Sequence, residues 1–165
     1  MTIPYINFHT HHPSYNNECS LGGEEHGMDR RWESPLHDQE KTFRQHVEES
    51  ERMGKPLVIH CVRTLEEILR VRKDMQPHQP WIMHGFRGKP QQLQSLLSAG
   101  IYVSFGLRYN KESLILCPLE MMFLETDDVD VPIAPLYQEV AQLKGISEEA
   151  LKHKMWENAN KLFHL

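Results

Sequence analysis

The sequence predicts an α/β fold in which a parallel sheet is covered by helices. Short apolar runs bounded by Gly or Pro alternate along the chain with segments of helical hydrophobic spacing. The continuous apolar character of these runs indicates strands that are buried on both faces, as in parallel sheets. A βαβα order implies right-handed crossovers, and functional sites in such folds lie at the C-terminal ends of the strands.

The strands and helices follow from local signals. After a first strand that precedes the histidines near the N-terminus, the predicted strands are 55–61, 80–86, 100–106 and 120–127. Gly54 and Pro56 end a helix over 36–53, and Thr64 with Glu67 forms a capping-box pattern for the next helix. The remaining helices are predicted from Pro90 to Gly100, over 135–144, and over 148–163 with Ser147 as its cap. No linker or repeat interrupts 1–165, so a single domain is expected.

Composition narrows the function classes. The 165 residues are 39% hydrophobic and 25% charged, which fits a globular domain with a real core. A net charge of -5 argues against a broadly basic nucleic-acid-binding surface. Three cysteines without a CxxC pair argue against a disulfide framework or a zinc ribbon. Because no apolar run approaches the roughly 20 residues of a membrane span, we expect a cytoplasmic protein, and no obligate protein partner is evident.

Candidate metal ligands stand where strands end. His9 and His11 share one face of an extended strand, and His60, His84 and Asp127 end three later runs. A single histidine at a strand end is more often an ordinary hydrogen-bonded polar group than a ligand. Five such residues at equivalent positions favour a metal site instead. Imidazole suits zinc, manganese and iron(II), while carboxylates also admit magnesium.

Several motifs together resemble one family. They are HxH at His9 and His11, E-x-G-[LM]-D from Glu25 to Asp29, "PLVIHC-x-R", "MHGFRG", "FLETD", "APLYQEVAQLKGISEEAL" and "NANKLF". In this order and over nearly the whole chain, they resemble the TatD-type metal-dependent deoxyribonucleases, which are amidohydrolase-like TIM barrels. The resemblance implies a (β/α) TIM-barrel-like hydrolase that binds one or two divalent metal ions.

The resemblance also implies roles for particular residues. His9, His11, Glu25 and Asp127 would surround one ion, and Glu25 would bridge to a second ion held by His60 and His84. Glu25 and Asp127 are thus the implied catalytic carboxylates, with Asp127 taking the proton of the attacking water. The ions would be magnesium, zinc or manganese.

The chain departs from the family pattern near its start. The segment between His9 and Glu25 is too short for the two strand-helix units that the family usually has there, because one parallel crossover takes roughly 10 to 12 residues. We therefore expect a reduced or incomplete barrel that lacks early strand-helix units. Glu24 stands where the family usually has Gly, so Glu24 and Glu25 are both candidates for the bridge.

Cations near the same strand ends are candidates for binding phosphate. Arg63, Arg87 and Lys89 follow the strands that end in His60 and His84, although any one of them could be an ordinary surface charge. Arg30 and Arg31 are placed similarly. Trp32, beside them, either packs the end of the sheet as a core residue, which is the preferred interpretation, or stacks on a base.

Three functions remain open from the sequence. The preferred one is a metal-dependent phosphodiesterase, a DNase acting on single-stranded DNA or DNA ends. The alternatives are hydrolysis of a small amide or lactone and a catalytically degenerate metal-binding barrel.

Overall fold

A computed structural model describes residues 2–12, 15–21 and 24–165. Its strands are β1 Tyr5–Asn7, β2 Glu18–Ser20, β3 Glu25–Asp29, β4 Leu57–Val62, β5 Trp81–Met83, β6 Tyr102–Phe105 and β7 Met122–Leu124. Its α-helices are α1 Leu36–Met53, α2 Leu65–Met75, α3 Pro90–Ser98, α4 Lys111–Leu116, α5 Ala134–Lys144 and α6 Glu148–Phe163. A 3-10 turn, Leu119–Met121, precedes β7. Gly22 and Gly23, which open the glycine-rich segment before Glu25, lie outside the described residues.

All strand pairs are parallel, and they form most of a barrel wall. β3, β4, β5, β6 and β7 are neighbours in that order, and β1 pairs with β2. The chain after β1 joins the two sheets, because the Phe8 N–H donates to the Leu124 carbonyl at 2.8 Å and Thr10 forms a parallel bridge with Asp127. The described residues contain no pairing between β2 and β3. The fold is therefore TIM-barrel-like and incomplete at that flank, as the sequence predicts.

The strand and helix predictions succeed best where apolar runs or end signals are strong. The four later strands, the stop at Gly54 and the Ser147 cap are confirmed, with the Ala150 N–H donating to the Ser147 hydroxyl at 3.0 Å. The predicted capping box at Thr64 is wrong, because the Thr64 hydroxyl donates to the Met28 carbonyl and accepts no capping hydrogen bond from the helix. β2, β3 and α4 are not among the predicted elements, and the described residues between His9 and Glu25 contain one short strand and no helix.

Gly27 lets β3 lie close to β4. It pairs with His60 across the sheet, and a Cβ at Gly27 would lie 1.7 Å from the His60 carbonyl oxygen. Only a residue without a side chain fits there. The glycine thus brings Glu25 and Asp29, on the same face of β3, beside the strand that carries His60.

The core holds the strand ends in place. Phe8, Phe123, Trp81 and Tyr137 are fully buried, and each buried side chain of this size contributes about 1.5 to 3 kcal/mol. The Tyr137 hydroxyl donates to the Ile6 carbonyl at 2.7 Å, which fixes β1 against α5. Among the described helices, none combines the length and apolarity needed to cross a membrane.

Candidate metal centre

The structure brings the six predicted ligands to one mouth of the sheet. Their side-chain atoms form two groups that share the Glu25 carboxylate: His9, His11, Glu25 and Asp127, and Glu25, His60 and His84. A third group joins His84 and Asp127 to Glu125. Glu25 Oε2 lies 3.0 Å from His9 Nε2 and 2.8 Å from His84 Nε2. Asp127 Oδ1 lies 3.4 Å from His9 Nε2 and 3.3 Å from His11 Nε2. Glu24 and Glu25 both line a smaller recess beside His9 and His11, and of these two glutamates Glu25 is the one whose carboxylate is paired with the histidines.

The backbone explains why these side chains meet. His9 and His11 alternate with Thr10, whose bridge to Asp127 places the HxH segment next to the end of β7. Asp127 has a φ of 54°, in the left-handed region that non-glycine residues rarely adopt. Such a conformation costs about 1 to 3 kcal/mol and clusters at functional sites. Glu25 starts β3 instead of ending it, and its longer side chain spans the difference.

Two buried carboxylates fix the orientation of two histidines. Asp29 Oδ2 lies 2.9 Å from His60 Nε2, and Glu125 Oε2 lies 3.2 Å from His84 Nδ1. Both carboxylates are fully buried, and Glu125 also accepts a hydrogen bond from the Gly85 N–H at 3.0 Å. Each imidazole therefore donates one N–H to its buried carboxylate and turns its other nitrogen toward Glu25. Asp29 and Glu125 act here as positioning residues.

Histidines and carboxylates at the mouth of the sheet shift each other's pKa values. Burial alone would lower the pKa of His9, but its contacts with Asp127 and Glu25 raise it to about 9. Burial would likewise lower the pKa of His84, yet the Glu125 and Glu25 carboxylates raise it to about 10. The same imidazoles, His84 and His9, hold the pKa of Glu25 well below its ordinary value.

The donor set fits a divalent ion. His9 Nε2 and Glu25 Oε2 are buried, and neither has a hydrogen-bond partner within the described residues, although they lie 3.0 Å apart. Buried polar atoms without partners are costly, and a cation between them would satisfy both. Imidazole nitrogens with carboxylate oxygens are ligands that zinc and manganese accept.

A cavity of about 900 Å³ opens beside the ligands. Four arginines line it: Arg31, Arg63, Arg87 and Arg108. The structure thus brings Arg63 and Arg87 to the predicted place, whereas Lys89 is exposed outside the cavity lining. Arg108 is not among the cations predicted to bind phosphate, because it follows β6 in a segment without a recognisable motif. Arg30 turns to the Glu67 carboxylate instead of the cavity.

Trp32 is not a core residue. Its side chain is 48% exposed, and its ring stacks on His60 with 5.5 Å between centroids and 7° between planes. The interpretation of Trp32 as a core tryptophan is therefore wrong.

Comparison with known proteins identifies the family. The family model described as TatD related DNase matches residues 20–164. The chain belongs to the TatD-related DNase family. Among solved structures, the fold is similar to the TatD homologue YJJV from Escherichia coli, with a TM-score of 0.77 at 19% identity, covering 91% of this chain and 65% of that one. A TatD-family hydrolase from Entamoeba histolytica gives a TM-score of 0.73 at 16% identity, covering 86% and 63%.

Curated TatD-family relatives are longer than this chain. An uncharacterized metal-dependent hydrolase of Buchnera aphidicola is 28% identical over an alignment 148 positions long, which covers 77% of this chain and 56% of the relative. The human 3'-5' RNA nuclease TATDN2 is 31% identical over an alignment 115 positions long, which covers 62% of this chain and 15% of that protein. The chain thus spans about half the length of the first of these relatives and a small part of the second.

Proposed function

We propose that this TatD-family chain is a metal-dependent phosphodiesterase that cleaves DNA at ends or in single strands. The observation that carries the proposal is Glu25, whose carboxylate belongs to both ligand groups beside an arginine-lined cavity. We assign His9, His11, Glu25 and Asp127 to one ion and Glu25, His60 and His84 to a second. The ions, magnesium, zinc or manganese, acidify water and neutralise negative charge when bound.

The chain's own residues would bind and orient the substrate. Two divalent ions would outweigh the charge of the direct ligands, which are four neutral imidazoles and the Glu25 and Asp127 carboxylates. The Asp29 and Glu125 carboxylates behind the histidines would offset part of this positive charge, and the arginines of the cavity wall add to it. Arg63 and Arg87 are exposed on the cavity wall, where their guanidinium groups can pair with phosphate oxygens.

Asp127 is the proposed base. The neighbouring His9 imidazole holds the pKa of Asp127 below its ordinary value, so this side chain is a carboxylate at neutral pH. Its carboxylate can accept the proton of a water that attacks phosphorus. The bond between phosphorus and the opposite, leaving oxygen breaks, and a proton from solvent water or from the protonated Asp127 goes to that oxygen. Glu25 holds the two ligand groups at a fixed separation while this proton moves.

The arginines favour a phosphodiester over a small neutral amide or lactone. Hydrolysis of such a neutral compound would favour a closed apolar pocket, whereas this cavity carries four exposed guanidinium groups. The chemistry of the cavity wall is therefore the observation that separates the two enzymatic alternatives.

The test is cleavage of a short end-labelled single-stranded DNA by the purified chain. The protein is stripped with chelator and reloaded with magnesium, manganese or zinc, and a matched RNA and a chromogenic lactone are run in parallel. Cleavage of DNA that returns only with metal supports the proposal. Preferred cleavage of RNA would show that the phosphodiesterase acts on RNA instead of DNA. Turnover of the lactone alone would overturn the proposal.

A further inference from the structure

Trp32 is an aromatic side chain that remains exposed beside the proposed ligands. Its ring lies 7° from parallel with His60, and 48% of the residue is exposed. Because His60 covers one face of the indole, the exposed area belongs to the other face and the edges. An indole with one face supported and the other open is a platform for a planar ring.

The platform is fixed before any ligand arrives. The backbone N–H of Trp32 donates to the Asp29 carbonyl at 3.1 Å, and the Asp29 carboxylate contacts the His60 ring against which the indole stacks. The same residue therefore anchors both the turn that carries Trp32 and the ring on which it lies. A side chain that is already ordered loses little conformational entropy on binding.

A cation lies next to the platform on the cavity wall. Arg31 makes a two-pronged ion pair with Asp29, with its Nη2 at 2.8 Å from Oδ2 and its Nε at 3.0 Å from Oδ1. The arginine is still 67% exposed. An open aromatic face beside a guanidinium group is the combination that binds the base and the phosphate of a single strand.

We propose that Trp32 stacks on an unpaired nucleobase that flanks the cleaved bond, so that the chain prefers a substrate whose flanking nucleotide carries a base. This inference rests on the proposed phosphodiesterase function. A base inside a duplex has both faces covered by its neighbours, so the stacked base comes from a single strand or a frayed end.

The experiment uses the metal-loaded full chain and a series of short single-stranded DNAs with one abasic sugar at successive positions. At the position next to the cleaved bond, loss of the base lowers kcat/KM of the unsubstituted protein by roughly 5- to 150-fold, the range for one base stacked on an aromatic ring. Trp32→Leu removes that difference, and Trp32→Phe keeps part of it. Trp156→Phe, a half-buried tryptophan on α6, keeps the full difference.

Two results would overturn the inference. If Trp32→Leu lowers cleavage of intact and abasic DNA by the same factor, Trp32 only orients His60. If Trp32→Leu keeps the full difference between intact and abasic DNA, Trp32 takes no part in base recognition.

Binding provides an answer even if the unsubstituted protein cleaves nothing and the proposed function fails. Tryptophan fluorescence is then titrated with the same DNAs. Quenching that needs the base and disappears in Trp32→Leu supports stacking, and quenching that is absent or independent of the base overturns it.

Discussion

The two ligand groups are supported differently by the structure around them. His60 lies in β4 and His84 directly follows β5, and these two strands are neighbours inside the five-stranded sheet. Each has its second ring nitrogen against a fully buried carboxylate, Asp29 for His60 and Glu125 for His84. These two imidazoles are therefore held in place by the protein alone.

The other group lies at the incomplete flank of the barrel. Both ring nitrogens of His9 are buried without a hydrogen-bond partner in the described ranges, and the side chain of His11 is 52% exposed. Among the described residues, no fully buried carboxylate contacts either ring on the side away from Glu25 and Asp127. The half of the centre around His60 and His84 is therefore preorganised, whereas the half around His9 and His11 depends on an ion for its geometry.

The largest expected effect comes from Asp127, the proposed base in the less supported group. Asp127→Asn keeps an oxygen donor and a similar shape but removes the base, so cleavage should fall by about 10² to 10⁴-fold while metal content falls less. End-labelled DNA cleavage and metal analysis measure the two effects. Asp130→Asn, an exposed aspartate on the same loop, is the matched control and should leave both unchanged. Near-normal cleavage by Asp127→Asn would remove this residue from the mechanism.

A smaller effect is expected when the support of the preorganised half is removed. Glu125→Gln weakens the hold on His84, and affinity for one of the two ions should fall by about 10- to 100-fold. The exposed Glu120→Gln serves as control, and metal titration followed by calorimetry measures the affinities. Equal losses at both ions would show that the two halves are not supported independently.

The smallest effect is on the pH dependence of the metal-free protein. His9 and His84 have pKa values of about 9 and about 10 in the fold, against roughly 6.5 in an unfolded chain. Their protonated forms stabilise the fold fully below pH 6.5, and this contribution is lost as pH rises through 9 to 10. Thermal unfolding of chelator-treated protein should therefore occur at lower temperature at pH 10 than at pH 7.

The same pKa values predict proton release on metal binding. At pH 7 both histidines are protonated in the metal-free protein, so loading should release about two protons per chain. Calorimetry in buffers of different ionisation enthalpy counts these protons. His84→Ala should release fewer, and the exposed His37→Ala should not change the count. Metal binding without proton release would contradict the assigned charge states.

The sequence predicts the supported half of the centre better than the open flank. β4, β5 and β6 are readable because their apolar runs and glycine or proline ends are local signals. β3 carries a mainly polar segment, Glu25–Asp29, and becomes a strand because Gly27 allows close contact with His60. That requirement is tertiary and leaves no periodic pattern in the sequence.

Within the site, strand position predicts which residues converge but not what supports them. The meeting of His9, His11 and Asp127 follows from parallel strands ending at one edge. The stacking of Trp32 on His60 and the arrival of Arg108 at the cavity depend on how loops close over the sheet. Such contacts between distant segments are visible only in the folded structure.

Stepwise metal titration of the stripped protein is the most direct test of the central claim, that Glu25 joins two ligand groups of different rigidity. The unsubstituted chain should bind two ions per chain. His11→Ala should weaken one of them, His84→Ala the other, and Glu25→Gln both. Binding of a single ion, or two ions whose affinities are unchanged in Glu25→Gln, would contradict the shared-carboxylate centre.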